Sequence, residues 1–134
     1  MPFLIDTNVA IEWRDGTPAI VDAISKLAEP PLISIITRIE LEGGVYRDPS
    51  HAALRRSRLD QLLTILPVLD LHAPVADRYR DIIAATGFSR RRILDRLIAA
   101  TALTHDLTLI TINGPDFRDI PGLKLEIWPA PAAQ

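Results

Sequence analysis

Cysteine is absent from all 134 residues, which rules out a disulfide framework, a thiolate metal site and a cysteine nucleophile. Lysine is nearly absent: of the 15 basic residues only Lys26 and Lys124 are not arginine, and the planar arginine fork suits bidentate contact with phosphate. No apolar run approaches the roughly 20 residues needed to cross a bilayer; the richest, Leu97 to Leu103, is short and contains Thr101. Met1 leads directly into Phe3, Leu4, Ile5 and then Asp6, without the cationic and long apolar regions of a secretory signal. The expectation is therefore a cytoplasmic protein without a membrane partner. Phosphate-loop and dinucleotide-binding glycine motifs are missing. None of Ser25, Ser34, Ser50, Ser57 and Ser89 lies in the G-x-S-x-G turn of a serine hydrolase. His51, His72 and His105 are scattered without metal-ligand spacing. A net charge of −2 argues against a general coat for nucleic acid, while leaving room for local basic patches.

With 48% hydrophobic and 24% charged residues, the chain suits one domain over residues 1–134, with 129–134 as a loose tail. The periodicity predicts strands at Phe3 to Ile5, Leu32 to Ile36, Ile65 to Leu71, Leu107 to Ile112 and Leu123 to Trp128. Pro67 places the third of these at a sheet edge. Helices are predicted between them, with apolar faces such as Ile20, Ala23, Ile24 and Leu27. Strands without polar alternation, separated by helices, imply an α/β fold of three layers: a mainly parallel central sheet with helices on both faces.

In such sheets ligands collect beyond the carboxyl ends of the strands. Asp6 directly follows the first strand, Glu40 falls in the first turn of the helix after the second, and Asp116 lies just past the strand ending near Ile112. Asp95 opens the helix leading into that strand and shares a face with Ile98, Ala99 and Ala102, where a lone carboxylate is costly. Each acid has a structural alternative. Asp6 serves as a helix cap, Thr37 and Glu40 as a capping box, Asp95 as partner of Arg91 or Arg92, and Asp116 as a turn residue. Together, however, clustered carboxylates repel and do not all ionise without a cation. All-oxygen ligation favours Mg²⁺ or Mn²⁺, ions that also bind phosphate oxygens, so a phosphate ester is the expected substrate.

The segments "LIDTNV" (Leu4 to Val9), "TRIELEGG" (Thr37 to Gly44), "LDRLIAATAL" (Leu94 to Leu103) and "LITINGPDF" (Leu109 to Phe117) resemble, in order and spacing, the PIN domain of VapC toxins. The resemblance covers nearly the whole chain. It implies a PIN-like fold with Asp6, Glu40, Asp95 and Asp116 as metal ligands, and with Thr7, Thr111 and Asn113 at the site. It further implies an endoribonuclease that cuts structured RNA such as transfer or ribosomal RNA, is silenced by a VapB-type antitoxin and forms a homodimer. Arg90, Arg91 and Arg92, just before Asp95, are expected to meet RNA phosphates. A non-catalytic PIN-like module that binds RNA or protein is the principal alternative. A receiver-type phosphotransfer domain fits poorly, because neither Lys26 nor Lys124 is well placed.

Overall fold

Period-two alternation along two short strands builds both halves of the core. In the computed structural model, which describes residues 2–132, β1 (Phe3–Ile5) pairs in parallel with β4 (Thr108–Thr111), with Leu4 opposite Leu109 and Ile5 opposite Ile110. Successive strand residues point to opposite faces. Leu4 and Leu109 accordingly enter one apolar cluster with Val75, Ile82, Ile98, Ala99 and Ala102. Ile5 and Ile110 enter the other, with Val9, Ala10, Ile20, Ile24 and Leu59. Each of these four strand side chains is fully buried, a stabilisation of about 1.5–3 kcal/mol apiece.

The clusters are closed by α1 (Thr7–Arg14), α2 (Pro18–Ser25) and α4 (Ala52–Leu63) on one face, and by α5 (Ala73–Thr86) and α6 (Ile93–Thr104) on the other. Helix α3 (Ile35–Arg47) contributes Ile36 to the first cluster and Leu41 and Val45 to the second. The three-layer arrangement is thus as expected.

On the far side of β4, β5 (Leu125–Ile127) continues the parallel sheet. β2 (Ile33–Ser34) and β3 (Val68–Leu69) form a second parallel pair, joined to β1 by a parallel bridge between Leu4 and Leu32. The order across the molecule is therefore β3-β2-β1-β4-β5, and the chain reverses its direction of travel between β1 and β4. β3 is an edge, as Pro67 implied, and the Pro67 carbonyl accepts from Ile33 N at 3.1 Å.

The strands are shorter than the apolar runs that announced them. Ile35 and Ile36, read as strand, belong to α3 because the Ser34 side chain caps that helix by accepting from Thr37 N at 3.1 Å. Residues 129–132 have no regular secondary structure; positions 133–134 of the expected tail lie outside the described residues. Among the described residues no helix is long and apolar enough to cross a membrane.

Candidate active site at the carboxyl edge of the sheet

The reversal between β1 and β4 leaves a crevice at the carboxyl ends of those strands, the place where parallel α/β sheets bind ligands. Asp6 emerges from β1 into it. Its backbone N–H donates to Ile110 O at 2.9 Å, which locks its position against β4. One carboxylate oxygen accepts from Thr7 N at 2.8 Å and the other from Thr111 Oγ1 at 2.9 Å. Asp6 is therefore the cap of α1, as one alternative proposed. That role does not account for its environment. It is 4% exposed, and burial pushes its pKa up to about 6, the two hydrogen bonds opposing and the charges of Asp95 and Glu40 adding to the rise.

The other acids approach from three further elements. Glu40 lies in the second turn of α3, not the first, because capping by Ser34 starts the helix at Ile35. The T-x-x-E capping box consequently does not form, and Glu40 Oε1 instead accepts from Thr7 Oγ1 at 2.7 Å. Asp95 stands in the first turn of α6, whose amino terminus faces this edge because the helix runs back against the strands. Its carboxyl is raised above the usual range, first by burial and then by the charges of Asp116 and Glu40, with Arg92 opposing. The suggested pairing with Arg91 or Arg92 is not made: among the described residues none of the ion pairs involves Asp95. Asp116 ends the short 3₁₀ turn Gly114–Asp116 and accepts from Asn113 Nδ2 at 2.6 Å.

The supporting residues form two hydroxyl networks. Thr111 Oγ1 donates to Asp6 and accepts from Asn8 Nδ2 at 3.3 Å and Asn113 N at 3.0 Å. The second network runs through Ser34, Thr37 and Thr7, and its direction follows from proton counting. Thr7 gives its single hydroxyl proton to Glu40, so the 3.0 Å contact between Thr7 and Thr37 requires Thr37 to donate, leaving Thr37 to accept from Ser34 at 3.4 Å. The protons thus point toward Glu40 from two fully buried hydroxyls. The site roles of Asn8, Ser34 and Thr37 were not foreseen. Asn8 and Thr37 sat in motifs that local capping already explained, and the strand pairing that joins Asn8 to Thr111 spans 103 positions.

Arginines without a partner are concentrated near this edge. Most arginines have an acid or a backbone carbonyl as partner, for example Arg56 with Glu42 and Asp60, Arg55 with Gly44 O and Arg58 with Asp15 O. Among the described residues, Arg90, Arg91, Arg92 and Arg118 make neither an ion pair nor a side-chain hydrogen bond, and Arg47 at the end of α3 makes none either. The first three form a 3₁₀ turn entering α6, and Arg118 lies two residues beyond Asp116 with its guanidinium close over Gly114.

The donor set offered here is entirely oxygen: half-buried or buried carboxylates, hydroxyls and an amide, with no histidine. Two of its acids are held above their normal range by burial and mutual repulsion, a state that a divalent cation would relieve. Among the described residues no three acidic or histidine side chains converge tightly enough to cage an ion unaided. The oxygen donors by their chemistry suit a hard divalent cation such as Mg²⁺ or Mn²⁺, which takes one or two carboxylates directly and completes its shell with water and phosphate oxygen.

Residues 3–123 match the PIN domain family, and the chain belongs to that family. Ribonuclease VapC19 of Mycobacterium tuberculosis is 34% identical over 128 residues, covering 90% of this chain and 96% of the relative. The tRNA(fMet)-specific endonuclease VapC of Shigella flexneri is 27% identical, covering 96% and 98% respectively. Among solved structures, VapBC2 from Rickettsia felis bound to a DNA fragment from its promoter superposes with a TM-score of 0.83 at 27% identity, covering 96% of this chain and 99% of that one.

Proposed function

We propose that this protein is an endoribonuclease toxin that hydrolyses phosphodiester bonds in cellular RNA, depends on Mg²⁺ or Mn²⁺, and is held inactive by a VapB-type antitoxin. The observation that carries this reading is the gathering of Asp6, Glu40, Asp95 and Asp116 on one edge, where among the described residues no ion pair involves any of the four. The names of the VapC relatives and the antitoxin-bound neighbour support the activity and the partner. The transfer RNA named for the Shigella relative makes transfer RNA the first substrate to test, with ribosomal RNA second. A homodimer is part of the same proposal.

In this mechanism Asp6, Glu40, Asp95 and Asp116 would hold the cation, Asp116 directly or through water. A bound Mg²⁺ or Mn²⁺ supplies Lewis-acid polarisation of the phosphate and neutralises the acids around it. The chain provides the rest. Thr7 and Thr111 lock the direction of the Glu40 and Asp6 oxygens, Asn113 aims Asp116, and burial keeps competing water from the Asp6 side. Arg90, Arg91 and Arg92, without acidic partners, are available to draw RNA phosphates to an edge that would otherwise repel them. Replacing all three by serine should lower RNA affinity and flatten its dependence on salt; unchanged affinity and slope would remove them from the interface.

The deciding experiment is cleavage of total cellular RNA by purified, antitoxin-free protein, with Mg²⁺ or Mn²⁺ and with chelator, comparing the parent with Asp6→Asn and Asp95→Asn. Discrete fragments that need the ion and vanish in both folded variants are expected. A folded, metal-supplied parent that cuts nothing would instead leave a binding module.

A further inference from the structure

Phe88 is 69% exposed, more than any other large apolar side chain among the described residues, and it joins neither core cluster. Its exposure is built into the fold. Helix α5 ends at Thr86, and Gly87 follows with φ +88°, a backbone that L side chains rarely adopt. The Gly87 carbonyl accepts from Arg96 Nη1 at 2.9 Å, and the same guanidinium reaches the Thr86 hydroxyl and, through Nη2 at 3.4 Å, Asp119. Arg96 is 3% exposed and its Nε has no partner. A buried charge next in sequence to Asp95 is thus committed to fastening the turn that carries Phe88.

The surroundings indicate what the ring meets. Arg90, Arg91 and Arg92 follow it, with no acid paired to any of them, and Asp95 comes three residues after Arg92. An exposed aromatic ring followed within four residues by three guanidinium groups that form no ion pair matches the two parts of a nucleotide, a base to stack on and phosphates to neutralise. An apolar protein surface would complement the ring but leave those three charges desolvated and unpaired, which is costly. We propose that Phe88 is a stacking platform for an unpaired RNA base adjoining the cleaved phosphate, with Arg90 and Arg91 on neighbouring phosphates. This rests on the ribonuclease reading and adds to it a residue that selects where the RNA is cut. A base inside a duplex is already stacked and does not present its face to Phe88.

The test uses the full chain carrying Asp6→Asn to prevent cleavage, with Phe88→Ala, Phe88→Leu or Phe88→Trp added. The probes are a short single-stranded RNA of mixed sequence containing 2-aminopurine and the matching duplex. Alanine and leucine should weaken single-strand binding about 5- to 100-fold and remove 2-aminopurine quenching. Tryptophan should preserve both, and duplex affinity should stay within about twofold. Single-strand affinity and quenching unchanged by alanine and leucine would overturn the platform. So would a loss of self-association or antitoxin binding without any change in RNA affinity, which would assign the ring to a protein partner. In parallel, total RNA is cut with Asp6 intact. A parent that cleaves while Phe88→Ala cleaves the same sites at the same rate refutes the stacking role alone, whereas a parent that neither cleaves nor binds RNA refutes the ribonuclease reading as well.

Discussion

Glu40 and Glu42 sit two residues apart on α3, yet the two faces of that helix treat a carboxylate in opposite ways. Glu42 looks toward α4, where Arg56 bonds to it, and Arg56 together with Arg38 of its own helix holds its pKa below the usual value. Glu40 looks toward the crevice, where it meets the Thr7 hydroxyl and the charges of other acids. One face is compensated by protein cations; on the other, Glu40 forms no ion pair, which suits the proposed binding of a divalent cation. The difference separates acids that maintain a surface from those of the proposed site better than the count of carboxylates does. Asp48 and Asp6 repeat the contrast. The exposed Asp48 is lowered to about 2 by hydrogen bonds from Ser50 and His51, whereas burial raises Asp6 to about 6.

The largest effect should come from exchanging charge for amide on the two faces of α3. Glu40→Gln is expected to reduce RNA cleavage at least about 100-fold, and Glu42→Gln to leave the rate unchanged, both measured at saturating Mg²⁺. Equal losses would dissolve the distinction between the faces. Next is Thr7→Val, which deletes the donor to Glu40 and the acceptor of Thr37. Cleavage should fall about 10- to 100-fold, as for other residues that orient metal ligands, and Thr7→Ser should restore much of it.

Asp6 supplies the third prediction, through stability in the absence of metal. Its folded pKa lies above the ordinary 3.8, so the folded state favours the protonated acid. Its contribution is intact below about pH 4 and is lost as pH rises through about 6. At pH 7.5 the ionised carboxylate opposes folding by up to about 3 kcal/mol. Asp6→Asn should therefore raise the metal-free Tm at pH 7.5 and have little effect at pH 4. Mg²⁺ should raise the Tm of the parent at pH 7.5, less so at pH 5, and barely that of the variant. A metal-free parent as stable at pH 7.5 as at pH 4.5, with no gain from Asp6→Asn, would contradict the strained state assigned to this acid.

The smallest effect is on the compensated face. Breaking the exposed network with Arg56→Ala should cost less than about 1 kcal/mol in urea denaturation, the ordinary value for partly exposed ion pairs, and leave cleavage unaffected.

Much of this was legible in the order of residues, because hydrophobic periodicity and turn chemistry are local. Alternating strands and helices, the edge position implied by Pro67 and the placing of acids just after strands all followed from neighbours in the chain. The four-motif resemblance to VapC toxins likewise used only residue types and spacing. What local pattern could not decide was which of two uses a residue takes when both satisfy the same rule. Thr37 and Glu40 satisfied a capping box, but Ser34 capped the helix and released Glu40 to Thr7. Asp95 had Arg91 and Arg92 within helical reach, but neither forms an ion pair with it, and the charge of Arg92 only offsets part of the rise that burial and the neighbouring acids cause. Asn8 and Thr111 came together only through the pairing of β1 with β4, and the turn that carries Phe88 is fastened by Arg96, nine positions after Gly87. These outcomes depend on burial and on partners far away in the chain. Charge, desolvation and hydrogen bonding act between groups that are close in space, and only the packed sheet and helices establish which groups those are.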